Sequence, residues 1–338
     1  MGRGYHVAVV GATGAVGQEL LRILEERQFP VVQLSLLASA RSVGRRLAFA
    51  GEALPVQPLA ADAFPGVDFA LFSVSASVSK SAAPSAVRAG AIVIDDSSAF
   101  RMEPQVPLVV TEVNPDALAR HHGIIAHPNC STIPLVMVLK PLHERARVRR
   151  VVLATYQSVS GHGARAMEEL DRQTRAVIAG QAPGIAVLPQ QIAFNCLPHI
   201  DAFGDMGYTG EEWKILKETH KILEDPSIAV SATAVRVPVY RCHAEAVNVE
   251  MAHQVSAQEA RELLARAPGV VVIDDPEKAQ YPMPVTCAGR DEVFVGRVRQ
   301  DPSHTRALNL WLVSDNLRKG AALNMVQIME WLAVRNGP

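Results

Sequence analysis

The stretch that decides the fold is His6-Val7-Ala8-Val9-Val10-Gly11-Ala12-Thr13-Gly14-Ala15-Val16-Gly17, followed by residues 18–27. The apolar run up to Val10 is what a strand buried on both faces requires. A glycine-rich turn comes next, and Leu20, Leu21 and Leu24 then mark one face of a helix spanning 18–27. In such a strand–turn–helix unit the backbone approaches a pyrophosphate and the helix N-terminus holds it. The spacing is GxxGxxG and not GxGxxG, so the fingerprint is a variant. A tight turn with no ligand is the competing reading.

Residues 31–37 read as a second strand. In an NAD site a carboxylate near its end would bind the ribose hydroxyls. Here the end is Ala38-Ser39-Ala40-Arg41-Ser42, with Arg45 and Arg46 close by. An arginine beside a serine suits a 2′-phosphate, so NADP(H) is expected over NAD, against an Arg41 that merely ends a strand in solvent. Residues 68–73 and 91–95 are two further buried-type strands, separated by a small-residue turn and a helix that runs to Gly90. Arg101 lies in the loop after the second of these, where open α/β sheets bind ligands. It is suited to clamping an anion such as phosphate, or is an idle surface arginine.

Pro128-Asn129-Cys130-Ser131-Thr132 follows the apolar run 123–126 and leads into residues 133–140, again as strand, turn and helix. Pro134 suits a first helical turn. The thiol of Cys130 then stands at a helix N-terminus, a setting that lowers a thiol pKa and makes the thiolate nucleophilic. The bland alternative is a buried cysteine acting as a small hydrophobe.

Beyond Cys130 the pattern changes. Residues 148–160 are strand-like, Gly161-His162-Gly163 is a turn, and a helix spans 164–179. Residues 228–237 and 243–250 alternate as strands with one wet face do, and 293–299 with 307–313 form a hairpin around Asp301-Pro302-Ser303-His304. A helix spans 320–333. The fold class is therefore α/β: an N-terminal Rossmann-like, doubly wound parallel sheet, then an α+β domain with a largely antiparallel sheet.

The chain has 338 residues, 49% apolar and 20% charged, with a formal net charge of −1. That length accommodates two cores, and the charge argues against nucleic acid or an anionic membrane as partner. No run is long enough for a membrane span, and the N-terminus has no signal-peptide pattern, so a cytoplasmic protein is expected. The four cysteines (Cys130, Cys196, Cys242 and Cys287) are widely spaced, which indicates neither a disulfide framework nor a metal site.

Six segments, in order, resemble aspartate-β-semialdehyde dehydrogenases: 11–17, 39–42, 128–132, 155–161 (Thr-Tyr-Gln-Ser-Val-Ser-Gly), 236–243 (Arg-Val-Pro-Val-Tyr-Arg-Cys-His) and 313–317 (Val-Ser-Asp-Asn-Leu). The resemblance implies an NADP-binding domain at 1–128, completed by a C-terminal helix at 319–338 that packs back on it. It implies a catalytic and dimerisation domain at 129–318. At matching positions it makes Cys130 the nucleophile that forms a thioester, His243 the general acid/base and Gln157 the residue that orients the acyl group. Arg236 would bind the substrate carboxylate. Arg101 and Lys214 would be the phosphate-site cations, with Glu211 their companion, and Asn129, beside the nucleophile, would also bind substrate. Gly11, Thr13, Gly14, Ala15, Val16, Arg41, Ser42, Ser160, Gly161 and Asn316 would contact NADP(H). His127 and His162 depart from the small or polar residues expected there. The implied reaction is NADPH-dependent reductive dephosphorylation of L-aspartyl-4-phosphate to L-aspartate-4-semialdehyde, towards lysine, threonine and methionine, in a homodimer or a tetramer of dimers.

Rival readings remain at this level. An N-acyl-glutamyl-phosphate reductase would share the thioester chemistry, and a non-catalytic NADP sensor would share the glycine turn. From spacing alone, Glu211, Lys214, Glu218 and Lys221 form a solvated, salt-bridged helix face opposite Trp213, Leu216 and Leu223. Arg236 and His243 are seven apart, which on one flat strand would place them on opposite faces, although Pro238 between them argues for a break. Cys242 is a rival nucleophile beside His243.

Overall fold

The computed structural model describes residues 4–335. The chain forms two compact units, Met1–Asn129 with Ala321–Pro338, and Cys130–Gly320. Residues 1–3 and 336–338, at the outer ends of the expected first domain and last helix, lie outside the described residues.

The first unit comprises β1 (Tyr5–Val10), α1 (Ala15–Glu26), β2 (Val31–Ala38), β3 (Arg46–Phe49), β4 (Glu52–Pro58), β5 (Phe69–Phe72), α2 (Ala76–Arg88), β6 (Ile92–Asp95) and β7 (Ile124–Ala126). Its strands lie in the order β3-β4-β2-β1-β5-β6-β7, parallel except for the β3–β4 hairpin. Every β1 side chain is buried, as the unbroken apolar run requires. Strand order reverses between β1 and β5, the switch point where open α/β sheets bind ligands. Helix α1 begins at Ala15, three residues before the expected start. The β3–β4 hairpin escapes a sequence reading because its turn is Ala50-Gly51. Both residues have positive φ, +50° and +81°, a geometry usually announced by Asn-Gly.

The second unit contains α3 (Thr132–Ala146), β8 (Val148–Gln157), α4 (Ala164–Ile178), α5 (Gly210–Leu223), β9 (Ala229–Arg236), β10 (His243–Met251), α6 (Ala257–Ala265), β11 (Val270–Val272), α7 (Pro284–Cys287), β12 (Val293–Gln300) and β13 (Ala307–Ser314). Its sheet runs β11-β12-β13-β10-β8-β9, with the two outermost pairs parallel and the three inner pairs antiparallel. Strand β8 stops at Gln157, and residues 159–162 turn as a 3-10 helix instead of continuing it.

Back in the first unit, α8 (Leu323–Arg335) follows a wider π turn at Arg318–Ala322, so the α-helix proper starts later than expected. It packs on α1, joining Leu20, Ile23 and Leu24 to Ile328, Met329 and Leu332 in one apolar cluster. Arg27 grips Glu330 through both carboxylate oxygens, each at 2.7 Å.

Spacing misleads most at α5. The face carrying Glu211 and Glu218 is buried, together with Ile215, Thr219 and Ile222, whereas Trp213, Leu216 and Leu223 are half-buried. The solvated-face reading is therefore wrong. A capping box of Thr209 and Glu212 starts this helix, and Glu212 Oε1 also accepts the Ala234 N–H of β9 at 2.9 Å. These are tertiary bonds that periodicity does not encode.

The loop after α4 is fastened by carboxylate–backbone bonds. Glu169 accepts the N–H groups of Ala186, Val187 and Leu188 at 2.6–3.2 Å, and Gln173 Oε1 accepts those of Ile192 and Ala193. Burial alone would raise the Glu169 pKa, but these donors together hold it below the ordinary value. A depressed folded-state pKa stabilises above the unfolded value and ceases to do so as pH falls through the folded one. Glu169→Gln should therefore lower stability by about 1.5–3 kcal/mol at pH 7. In calorimetry the difference from wild type should shrink steadily below about pH 4.5. A pH-independent difference would contradict this account.

Candidate active site

In the second unit, three strand ends bring their side chains to one face of the sheet. Gln157 ends β8 and pairs with Arg236, the end of β9. On the other side of β8, β10 pairs Ala244 with Tyr156 and Glu245 with Thr155, which places His243 beside Gln157. Arg236 and His243 therefore do not share a strand. The chain leaves β9, turns through Pro238 and returns as β10 with β8 in between, and the seven-residue separation raises no conflict.

His243 is wholly buried. Its Nδ1 accepts the Ser158 N–H at 3.1 Å and lies 3.2 Å from Ser158 Oγ. Burial, with the Arg236 charge as the next cause, pushes the imidazole pKa down to about 3. The ring is thus neutral, and with Nδ1 accepting, its proton belongs on Nε2. Nε2 has no hydrogen-bond partner. Asn316 braces the arrangement: Oδ1 accepts the Cys242 N–H at 3.0 Å and the Ser158 hydroxyl at 3.1 Å, and Nδ2 donates to Ser160 Oγ at 2.9 Å. Ser160 and Asn316, expected to touch the cofactor, hold the histidine's support in place.

Arg236 is 4% exposed, donates from Nη1 to the Ser158 carbonyl at 2.8 Å, and forms no ion pair among the described residues. Burial lowers its pKa, while the neighbouring Glu211 and Cys130 favour its charge. Gly161 leaves space for this pair: a Cβ there would stand 2.9 Å from Arg236 Nη1 and 3.1 Å from the His243 ring.

Cys130 stands in the turn before α3, whose N-cap is Ser131. No acidic side chain occupies that helix's first turn and no side chain caps it. Gly320 lies against the cysteine, so that a Cβ there would be 3.1 Å from Cys130 Cβ. Cys242 and Cys287 are buried and burial raises both thiol pKa values, which removes Cys242 as a rival nucleophile.

Both amide hydrogens of Gln157 are committed, to Thr155 Oγ1 at 3.3 Å and to Glu211 Oε1 at 3.1 Å. Glu211 Oε2 in turn accepts from Lys214 Nζ at 3.3 Å, and Lys214 also meets Asp201 at 2.7 Å.

In the first unit, Gly11 has φ +89°, and a Cβ there would lie 2.1 Å from the Ser73 carbonyl oxygen. A Cβ on Gly17 would lie 2.4 Å from Gly11 O. The two glycines let the turn cross closely over the ends of β1 and β5. Gly14 is the α1 N-cap and offers no side chain to the first-turn N–H groups, around Ala15 and Val16, and no acid lies in that turn. The turn thus fits a pyrophosphate. Thr13 Oγ1 lies 3.1 Å from Ser42 Oγ, which brings the end of β2 to the same turn, and Arg41 is exposed beside it. Arg101 is buried and donates to the Asp96 carbonyl at 2.8 Å. Buried His127 places Nδ1 2.9 Å from Asp96 Oδ1, and Asn129 is also buried.

Family models match both units. The one described as semialdehyde dehydrogenase, NAD binding domain covers residues 6–121, and the one described as semialdehyde dehydrogenase, dimerisation domain covers 139–319. An Aquifex aeolicus aspartate-semialdehyde dehydrogenase is 53% identical over 99% of each chain. The chain belongs to the aspartate-semialdehyde dehydrogenase family. A Bacillus subtilis aspartate-semialdehyde dehydrogenase is 48% identical over 99% of each chain. Among solved structures, aspartate semialdehyde dehydrogenase II from Vibrio cholerae complexed with ASA superposes with a TM-score of 0.95, at 46% identity over 99% of each chain. The Candida albicans enzyme with NADP gives 0.77 at 26% identity, again over 99% of each chain.

Two residues of this family site were not legible beforehand as site residues. Ser158 lies inside the quoted 155–161 segment, but nothing in its type announces that it receives His243. Gly320 looks like any residue at a helix start until Cys130 is seen against it. Gly161→Ala should push Arg236 and His243 apart and lower kcat/KM by about tenfold or more, with circular dichroism unchanged. Wild-type kinetics for this variant would show that the packing at Gly161 does not set the geometry.

Proposed function

We propose that the chain catalyses NADPH-dependent reductive dephosphorylation of L-aspartyl-4-phosphate to L-aspartate-4-semialdehyde, the step towards lysine, threonine and methionine. The observation that carries this reading is Arg236: a buried guanidinium with no bonded carboxylate among the described residues, electrostatically linked to Cys130 and adjacent to His243. A substrate carboxylate supplies the missing anion and places the acyl carbon by a bidentate grip. The Cys130 sulfur, at a helix N-terminus and near that cation, displaces phosphate to give a thioester. Lys214 and Arg101 are the cations assigned to the phosphate, with Glu211 holding Lys214, and Asn129 precedes the nucleophile. Gln157, fixed at both amide hydrogens, orients the acyl group. The bound nicotinamide supplies the hydride. His243 Nε2–H donates a hydrogen bond to the oxygen on which charge develops after hydride transfer, and collapse of that hemithioacetal anion breaks its C–S bond, releasing aldehyde and the Cys130 thiolate.

For the cofactor, the reading is NADP(H) over NAD. It rests on the turn formed by Gly11, Thr13, Gly14, Ala15 and Val16, and on Arg41 and Ser42 with no carboxylate at the end of β2. Ser160, Gly161 and Asn316 belong with the nicotinamide end. A homodimer fits the match to a dimerisation-domain model. It also fits the outer sheet face, where Tyr156, 37% exposed, meets Trp311 with tilted rings 5.4 Å apart beside partly exposed Ala154 and Ala246. A tetramer would be built from such dimers. No helix among the described residues is long and apolar enough to cross a membrane, and a cytoplasmic location is the simplest reading.

The test is the reverse assay, with semialdehyde, phosphate and NADP. Cys130→Ala should lose about 10³-fold or more in kcat, and normal turnover in that variant would end the proposal. Assaying N-acyl-glutamyl phosphate beside aspartyl phosphate separates the neighbouring acyl-phosphate chemistry. Arg41→Ala should raise KM for NADP by about 10–100-fold while leaving KM for NAD unchanged, as expected for one charge-assisted phosphate contact. Equal effects on both cofactors would remove the assignment of Arg41.

A further inference from the structure

Directly behind the catalytic row lies a group that none of the steps above uses. Glu245 is two residues along β10 from His243, hence on the same face of the sheet. It is 1% exposed, and neither carboxylate oxygen has a hydrogen-bond partner. Its register neighbours are Thr155 on β8 and Leu312 on β13. Ser314, which pairs with His243 across β13, shares that face, and its buried hydroxyl also lacks a partner. Thr155 Oγ1 already accepts from Gln157 Nε2, so its own O–H remains to be donated.

A buried carboxyl left unsatisfied is strongly destabilising, and native interiors rarely tolerate one. Burial raises the Glu245 pKa well above the usual carboxylate range, and no charged neighbour contributes to the shift. Directly opposed residues on an antiparallel pair have Cβ atoms about 4.5–5.5 Å apart, a span that one water closes between two polar side chains. The Thr155 hydroxyl and the Glu245 carboxyl, opposed on adjacent strands, give such a water the two partners it needs.

We propose that Glu245 is a positioning residue: through an internal water shared with Thr155, it fixes the Thr155 hydroxyl as the acceptor that sets the plane of the Gln157 amide. The chain of donors runs from Gln157 Nε2–H to Thr155 Oγ1, and from Thr155 O–H through the water to Glu245. Glu211 holds the other amide hydrogen, so loss of the Thr155 anchor frees the amide to rotate without detaching it. The proposal rests on the reading of Gln157 as the residue that orients the acyl group.

The experiment measures kcat, KM and thermal midpoint for the full-length wild type, Glu245→Leu, Glu245→Gln, Thr155→Val and the double variant Glu245→Leu/Thr155→Val, in the semialdehyde-oxidising direction. Replacing a wholly buried carboxyl by an apolar side chain of similar size should leave Glu245→Leu as stable as wild type or more so. Its kcat should nevertheless fall by about tenfold or more, with KM for semialdehyde within about twofold. Glu245→Gln, which keeps a donor and an acceptor, should recover most of the rate. The double variant should be no slower than the slower single one, because both cut the same chain. A Glu245→Leu enzyme with wild-type kcat, a Glu245→Gln enzyme as slow as Glu245→Leu, or multiplicative losses in the double variant would each overturn the proposal. If Glu245→Leu does not fold, Glu245→Met and Thr155→Val decide the matter by the same criteria. Absence of semialdehyde turnover in wild type would defeat the reading of the reaction itself and take this proposal with it.

Discussion

A guanidinium with almost no exposure and no bonded carboxylate organises the second unit. Taking Arg236 out of water is costly unless something negative meets it. The fold supplies only partial relief, from the Ser158 carbonyl and from the neighbouring Glu211 and Cys130. Its field also helps keep His243 neutral. In the proposed reaction one buried cation does three things: it leaves room for a substrate anion, favours negative charge on a sulfur, and holds the imidazole in the form that donates from Nε2. A cavity lined only by neutral groups would do none of them.

Such a cation needs rigid surroundings, and these come from strand ends braced by the turns that follow them. Gln157 and Arg236 are paired residues, and the backbone after Gln157 holds His243 through the Ser158 N–H. Asn316 then joins Ser158, Ser160 and the Cys242 backbone. Glycines stand wherever a side chain would intrude, at Gly161 against Arg236 and at Gly320 against Cys130.

The first unit was legible in the sequence because its signals are local. An apolar run, a glycine turn and an amphipathic helix each announce themselves within a dozen residues, and the parallel order follows from repeating that unit. The hairpin at 46–58 was not legible, since an alanine occupies a left-handed turn position where Asn or Gly would have marked it. In the second unit the strands were legible by alternation, but their order was not, because β8 separates β9 from β10 and nothing local records that. The seven-residue gap between Arg236 and His243 was puzzling for that reason alone. The α5 helix shows the converse failure. Its charges have the spacing of a solvated face, yet Glu211 and Glu212 are buried because Gln157 and the β9 backbone donate to them.

Buried acids divide into two kinds in this molecule, and the division follows from what surrounds them. Glu169, Glu211 and Glu212 each accept identified donors, and each ties one element to another. Glu245 accepts none, although it is buried in the sheet between Thr155 and Leu312. Hydrogen-bonded burial explains the first three as structure. It does not explain the fourth, because an apolar residue would make a more stable sheet there. A group that stability alone disfavours, set one register step behind Gln157 and His243, is more simply accounted for by what it does to their geometry than by what it does for the fold.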